Sequence, residues 1–244
     1  MRNRSASSPA APRLRSRSED GRDWPVLVWQ AGPGWRAVSS AVVGGGIGPC
    51  AWWLDAQVDK EYFHPDPQAH ALDIAAGLGL LPGPGVAMLT AADVTRWTLA
   101  DDETVLAAAT VGLGLPVLAA VPSAVAAREA AEPVGTVNVL VVVPAPLSDA
   151  ALVNAVVTAT EAKVQALVEA GLRATGTSSD AVCVACPVPP GHQPGGDEPG
   201  GLEPYGGPRS PWGARIARAV HAAVAEGTAD WFATVDERAG RLPG

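Results

Sequence analysis

The sequence has few cysteines, few charged residues and no long apolar run. Three cysteines in 244 residues are too few for the disulfide framework of a small secreted domain. No apolar run reaches the ~18 residues of a transmembrane helix, and no apolar segment follows the N-terminal arginines as in a secretory signal. The sequence therefore predicts a cytoplasmic protein with reduced, packed cysteines and no membrane partner.

Basic residues are scarce outside the N-terminal segment. Lys and Arg number 17 against 25 Asp and Glu, and six of the arginines lie within residues 1–23. The rest of the chain is acidic and would repel a phosphate backbone, so nucleic-acid binding is not expected. Residues 1–23 are rich in Arg, Ser, Ala and Pro and are predicted to form a disordered tail.

The composition indicates a globular core with extensive loops. Hydrophobic residues make up 48% of the chain, with 27 Gly and 23 Pro, so the chain can bury a sizeable core between many turns. No internal repeat is found. We expect one domain over residues 24–230, followed by a C-terminal extension over 231–244.

Hydrophobic patterns and turn signals predict strands mixed with long helices. Strands are predicted at 26–30, 35–43, 86–90, 94–100, 104–111, 134–143 and 181–186, and helices at 66–81, 148–170 and 211–226. The first two strands are expected to form a hairpin, and residues 187–211 a surface loop. This order predicts an α/β fold: a single domain whose mixed β-sheet is covered by helices and joined by long Gly/Pro-rich loops.

Two short motifs lack the context that their chemistry needs. Gly44–Gly48 follows a predicted strand but is not followed by a helical pattern, so the dinucleotide-binding fingerprint fails. Cys183 and Cys186 form a CxxC inside a predicted strand, where residues three apart face opposite sides and cannot share a ligand.

His64, Asp66 and His70 are possible metal ligands by residue type. Pro65 and Pro67 forbid a regular helix across the first two, and no third histidine lies near them in the sequence. The sequence therefore predicts no metal site here.

The helix predicted at 148–170 carries two charged side chains that point in different directions. At 100° per residue, Glu161 and Lys163 lie about 160° apart. Glu161 falls in a polar stripe that is either a solvent face or a pocket wall, whereas Lys163, with Thr160 beside it, falls among apolar residues. Because a lysine is rarely buried without a partner, Lys163 either reaches the helix edge or pairs with a carboxylate or ligand in a pocket.

Two other segments place polar groups next to predicted buried strands. Asn138 stands among valines in the strand at 134–143, where an amide needs a partner or a ligand. Residues 174–180 combine four hydroxyls, a glycine and Asp180. That segment either caps its own backbone or binds a ligand.

An ordered set of segments resembles the adenosylcobinamide amidohydrolase family of cobamide salvage. The segments are VSSAVVGGGIG (38–48), AMLTAADV (87–94), ATVGLG (109–114), GTVNVLVVV (135–143), ALVNAVVTATEAKVQAL (151–167), ATGTSSDAVCVA (174–185), and YGG followed by a glycine-containing helix (205–216). The most specific parts are TATEAK with the upstream GTVN, and ATGT with its following Asp180. The resemblance covers about residues 26–226.

The resemblance implies hydrolysis of the amide that joins aminopropanol to the corrin ring of adenosylcobinamide, giving adenosylcobyric acid. The corrinoid is then the substrate, and no cofactor or metal is expected. A non-catalytic corrinoid-binding protein of the same fold is the alternative, and a hydrolase of an unrelated amide is a third possibility. Because no Ser-His-Asp spacing is visible and the histidines lie outside the resembling segments, neither a serine triad nor a cysteine nucleophile is expected.

The candidate site residues lie within the resembling segments. A corrinoid is a broad ring fringed by amides, so its site needs hydrogen-bonding groups at the edge and an apolar floor. Glu161 is the candidate general base by chemistry, and Lys163 either holds the oxyanion or pairs with a carboxylate. The catalytic candidates are Glu161, Lys163, Asn138 and Asp180. The substrate-binding candidates are Ser39, Ser40, Gly44, Gly45, Gly46, Thr90, Thr110, Thr160, Thr175, Gly176 and Thr177.

Overall fold

The computed structural model describes residues 10–124, 135–189 and 201–239. Within these ranges the strands form two mixed sheets. The four-stranded sheet has the order β1-β2-β5-β6, and the six-stranded sheet has the order β4-β3-β10-β9-β8-β7. The pairs β5–β6 and β9–β10 are parallel, and the other neighbours are antiparallel. The strands are β1 (Arg13–Glu19), β2 (Arg22–Gln30), β3 (Trp35–Ser39), β4 (Gly46–Pro49), β5 (Trp52–Gln57), β6 (Gly85–Thr90), β7 (Thr98–Asp102), β8 (Val105–Gly112), β9 (Thr136–Val142) and β10 (Ala181–Pro187).

Three α-helices and one 3-10 turn accompany the strands in the described ranges. They are α1 (Pro67–Gly77), α2 (Asp149–Glu169), α3 (Pro211–Ala239) and the 3-10 turn at Val94–Arg96. Two of the helices begin at side-chain caps, as the sequence indicates. Asp66 Oδ1 accepts a hydrogen bond from the Ala69 amide at 2.9 Å, and Ser148 Oγ accepts one from the Ala151 amide at 3.1 Å, which satisfies donors at each helix start.

Alternation of side chains along the strands builds four layers. One face of each sheet contributes to a shared apolar core that includes Trp53, Met88 and Leu140. The other face of the four-stranded sheet packs on Ile74 and its neighbours in α1. The other face of the six-stranded sheet packs on α2 and α3. The order of layers is therefore α1, four-stranded sheet, six-stranded sheet, and the pair α2 and α3.

The predicted α/β class with mixed strands is confirmed, but two sheets replace the one that was predicted. The expected hairpin between residues 26–30 and 35–43 is wrong, because β2 pairs with β1 and β5 while β3 pairs with β4 and β10. The turn at residues 31–34 carries the chain from one sheet to the other. Strand pairing of this kind depends on partners far along the chain, which local patterns do not reveal.

The predicted disordered tail over residues 1–23 is wrong for its second half. Arg13–Glu19 form β1, which pairs antiparallel with β2 over its whole length. Its arginines bind the folded body: Arg15 donates to the carbonyl of Leu78 at 3.0 Å, and Arg17 donates to the carbonyl of Gln57 at 2.9 Å. Residues 1–9 lie outside the described ranges.

The last helix continues well past residue 226, where it was predicted to end. Gly227 lies inside α3 and does not end the helix. Its lack of a side chain lets α3 pack closely on β8. A Cβ at Gly227 would lie 2.6 Å from Cγ2 of Val111. The helix also runs without a break across residue 230, the boundary predicted between the domain and the extension.

The predicted burial of the cysteines is confirmed. All three are free and buried. Cys183 faces the core between the sheets, whereas Cys186 faces the core under α2 and α3, so the CxxC thiols point to opposite sides of β10. Burial raises the pKa of Cys186 to about 11, which makes this thiol unreactive at neutral pH.

By length and composition, α2 is the one helix in the described ranges that could cross a membrane. Half of its most apolar window is buried inside the fold. Leu152, Ala159 and Leu167 of α2 belong to the core under the six-stranded sheet. The apolar composition of α2 is therefore accounted for by packing in this core.

Candidate active site

The layer between the two sheets is apolar over most of its length and polar at one end. Residues two apart on a strand share a face, so each polar residue at this end lies on the same face as the apolar core residue two positions away. Asp55 lies two residues after Trp53, Thr90 two residues after Met88, and Thr110 two residues after Ala108. On β9, Asn138 precedes Leu140. The four polar residues are buried, with exposures of 0% for Asp55 and 1% for each of the others.

A cleft of about 490 Å³ opens at this polar end. Its wall carries hydroxyl groups from four different segments, together with charged and aromatic groups. The polar lining residues are Ser40, Asp59, Lys60, Tyr62, Thr90, Thr136, Asn138, Ser179 and Asp180. A second cleft of about 550 Å³ shares Lys60, Ala91 and Thr136 with the first, so the two clefts adjoin.

Asp55 is a buried carboxyl group directly behind the cleft wall. Its Oδ2 accepts a hydrogen bond from Thr110 Oγ1 at 2.6 Å, and its Oδ1 accepts one from Asn138 Nδ2 at 2.9 Å. Burial raises the pKa of Asp55 to about 6, although the hydrogen bonds from Thr110 and Asn138 lower it in part. A carboxyl group that titrates near neutrality beside a cleft is suited to proton transfer.

Asn138 connects this carboxyl group to the cleft. Its Nδ2 donates to Asp55 and also to the carbonyl of Leu89 at 3.3 Å, while its Oδ1 accepts from the Ala181 amide at 3.1 Å. These bonds join β5, β6, β9 and β10 at the polar end. They provide hydrogen-bond partners for the Asn138 side-chain amide, which lies among valines in the sequence.

Asp180 is held by four donors. Its Oδ1 accepts from the Val137 amide at 2.8 Å and from the Thr177 hydroxyl at 2.5 Å. Its Oδ2 accepts from the Thr177 amide at 3.1 Å and forms an ion pair with Nζ of Lys163. Both oxygens of Asp180 are therefore engaged by donors from β9, from Thr177 and from Lys163. The cluster of Lys163, Asp180 and Thr177 therefore fixes the segment that carries Ser179 into the cleft.

Gly176 packs directly against this ion pair. A Cβ at this position would overlap both Oδ2 of Asp180 and Nζ of Lys163, and its φ of +155° lies in the region that favours glycine. Gly176 therefore leaves the room that the ion pair occupies.

The structure brings several of the sequence-predicted site residues together. Ser40, Thr90, Asn138 and Asp180 line the first cleft. Thr110, Lys163 and Thr177 lie behind its wall, bonded to Asp55 or to Asp180. Ser39 is buried beside Ser40, and its hydroxyl accepts from the Ala41 amide at 3.0 Å.

Other predicted residues lie outside the lining of the cleft. On α2, Glu161 and Thr160 are exposed, and the Thr160 hydroxyl donates to the carbonyl of Val156 at 2.8 Å. The helical rotation that buries Lys163 turns both residues to solvent, so Glu161 does not share a centre with Lys163. Thr175 instead accepts from the Ala119 amide at 2.9 Å.

The glycines at 44–46 also have a packing role. A Cβ at Gly44 would overlap the carbonyl oxygen of Gly85, and a Cβ at Gly45 would lie 2.8 Å from the carbonyl oxygen of Ala41. Gly44, Gly45 and Gly46 are not among the residues that line either cleft. The glycine-rich turn therefore lets the chain pass close to β6.

The groups at the cleft that sequence reasoning missed are Asp55, Asp59, Lys60, Tyr62 and Thr136. Asp55 carried the same signal as Asn138, a single polar residue in an apolar strand (WWLDAQ). Tyr62 lies in a connecting segment that gives no such signal. No group of three or more His, Cys, Asp or Glu side chains that could hold a metal is found within the described ranges.

Comparison with known proteins identifies related sequences over most of the chain. A family model described as adenosylcobinamide amidohydrolase matches residues 11–235. The adenosylcobinamide amidohydrolase of Methanosarcina mazei is 31% identical over 150 residues, which cover 62% of this chain and 68% of that protein. The matched region includes both sheets and the segments that line the cleft.

Proposed function

This chain belongs to the adenosylcobinamide amidohydrolase family, and from that premise we propose that it hydrolyses the aminopropanol amide of adenosylcobinamide. The products are adenosylcobyric acid and aminopropanol. The corrinoid is the substrate, and no additional cofactor takes part. The protein acts as a cytoplasmic enzyme of corrinoid salvage.

The observation that carries this proposal is the buried carboxyl group of Asp55 at the end of the inter-sheet layer. An amide is a poor electrophile, so its hydrolysis needs an activated water molecule and a protonated leaving nitrogen. With its pKa raised to about 6 by burial, Asp55 is ionised at neutral pH yet binds a proton more readily than an exposed aspartate. Each of its oxygens accepts one hydrogen bond and keeps a lone pair.

In the proposed step Asp55 receives a proton from the attacking water. Thr110 and Asn138 donate to its two oxygens and hold the carboxylate in position. The water oxygen bonds to the carbonyl carbon and one water proton goes to Asp55. The C–N bond breaks as its electron pair stays on nitrogen, which takes a proton from a donor in the cleft, and Asp55 then returns its proton to solvent. We assign the base to Asp55 in place of Glu161, which is exposed, and of Asp180, which is held in an ion pair with Lys163.

The hydroxyl groups of the cleft provide binding sites for the amide fringe of the corrinoid. Ser40, Thr90, Thr136 and Ser179 come from four separate segments and line one cleft. Hydroxyl groups both donate and accept, which matches carboxamide groups that do the same. The ion pair of Lys163 and Asp180 holds the position of Ser179.

Turnover of adenosylcobinamide by the purified protein tests the proposal. Released aminopropanol and the corrinoid acid are quantified by mass spectrometry for the wild type, Asp55→Asn and the control Asp101→Asn, whose residue is exposed on β7. We expect Asp55→Asn to lose at least about 100-fold in turnover and the control to match the wild type. Equal turnover by Asp55→Asn and the wild type contradicts the role of Asp55. Tight corrinoid binding without product identifies a non-catalytic binding protein.

A further inference from the structure

Three side chains that have no role in the proposed hydrolysis form a row, and one end of this row lies at the cleft. Tyr62 lines the cleft, and its hydroxyl lies 2.9 Å from Nδ1 of His70. On the other side of the same ring, Nε2 of His70 lies 2.8 Å from Oε1 of Glu19. A carboxylate, an imidazole and a hydroxyl are thus in series, and the hydroxyl is the member at the cleft.

The surroundings hold this row in place from three elements. Arg17 of β1 donates to the other oxygen of Glu19 at 2.7 Å. The ring of His64 stacks on the rings of Tyr62 and His70, with centroids 6.3 Å and 5.0 Å away. Asp66 caps α1, the helix that carries His70. The His70 side chain is 10% exposed, so most of the ring is packed inside the fold.

The charges on this row suit a proton donor that faces the cleft. Burial acts to raise the pKa of Glu19, but the bonds and charges of Arg17 and His70 outweigh it, and the pKa is lowered. Glu19 is therefore ionised. Burial and the charge of Glu19 raise the pKa of Tyr62, so Tyr62 stays a hydroxyl at neutral pH.

We infer that Tyr62 is the catalytic proton donor to the leaving amine, and that His70 and Glu19 position and recharge it. This inference rests on the proposed amide hydrolysis. When the C–N bond breaks, its electron pair stays on nitrogen, and nitrogen takes the proton of the Tyr62 hydroxyl. The Tyr62 oxygen takes the proton on Nδ1 of His70, and the neutral imidazole regains a proton from solvent. Glu19 contacts the other side of the ring, at Nε2, and holds it in position.

Substrates with different leaving groups distinguish a catalytic role of Tyr62 from a structural one. An aminopropanol amide needs a proton on its nitrogen, whereas a nitrophenyl ester at the same corrinoid side chain releases a phenolate that needs none. Tyr62→Phe removes the hydroxyl and keeps the ring. The chain has one other tyrosine, Tyr205, which is 71% exposed, so Tyr205→Phe is the matched control.

We expect Tyr62→Phe to lose about 100-fold in turnover of the amide and less than about threefold with the ester, and the Tyr205→Phe control to match the wild type on both. His70→Gln should lower turnover of the amide more than turnover of the ester. Equal loss on amide and ester shows a structural role and overturns the inference, as does full amide turnover by Tyr62→Phe. If the wild type releases no aminopropanol, the proposed hydrolysis itself fails.

Discussion

Lys163 of α2 forms an ion pair with Asp180, which directly precedes β10, and both side chains are nearly buried, with exposures of 6% and 11%. The pair connects the helix layer to the polar end of the inter-sheet layer, because Asp180 also accepts from the backbone of β9. Lys163 is one of two lysines in the chain. Its burial depends on this carboxylate partner.

Replacing Lys163 by Met is expected to lower the free energy of unfolding by about 3–5 kcal/mol, because it leaves a buried carboxylate without its cation. Urea unfolding at pH 7 measures the change. The other lysine, Lys60, is exposed, and Lys60→Met should change stability by less than about 0.5 kcal/mol. Similar small effects of the two substitutions would show that the pair contributes little.

Gly176→Ala is expected to be more destabilising than Gly171→Ala. Both glycines have positive φ, +155° and +87°, so both substitutions carry a backbone cost of about 1 kcal/mol. At Gly171 a Cβ would meet nothing within 4 Å, whereas at Gly176 it would overlap Asp180 and Lys163. Thermal unfolding should show a loss at Gly176 at least about twofold larger. Equal losses would contradict the packing of Gly176 on the ion pair.

Asp55 should make the protein less stable as the pH rises from about 4 to 6. In the unfolded chain this carboxyl group releases its proton near pH 4, but burial raises the folded pKa to about 6. Between these values the folded protein binds more protons, so its free energy of unfolding falls with rising pH, by about 3 kcal/mol.

The contribution of Asp55 is isolated by the difference in stability between pH 4.5 and 7.5. The difference attributable to this residue should vanish in Asp55→Asn and persist in Asp101→Asn. A pH dependence that is the same in Asp55→Asn and the wild type would show that Asp55 titrates normally.

Catalysis is expected to be insensitive to chelators. Within the described ranges no group of three or more His, Cys, Asp or Glu side chains could hold a metal ion, and the proposed proton transfers use only Asp55, Tyr62 and His70. Turnover after dialysis against EDTA should equal that before it. Loss of turnover that zinc restores would require a metal in the mechanism.

The sequence predicts elements well where the signal is local. The cap at Ser148, the long apolar helix after it and the central strand around Asn138 all follow from short patterns, and the structure has each of them. A carboxylate partner for Lys163 is one of the alternatives that the sequence predicts, and the structure shows that ion pair. These features depend on residues close to one another in the sequence, or on one charged side chain that needs a partner when buried.

The features that the sequence misses depend on contacts between distant segments. β1 is ordered because its arginines bind carbonyls 40 and 63 residues away. Gly227 continues a helix because it faces β8. Asp55 reaches Asn138 across 83 residues and between two sheets. No periodicity indicates that strands from two sheets will bring these polar groups to the same end.

Hydrolysis in water labelled with oxygen-18 tests the central claim most directly. The wild type is incubated with adenosylcobinamide, and the corrinoid product is analysed by mass spectrometry. The account predicts adenosylcobyric acid with one labelled oxygen in the new carboxylate and an equal amount of free aminopropanol. Recovery of unlabelled, intact adenosylcobinamide bound to the protein would contradict it and identify a corrinoid-binding protein without this activity.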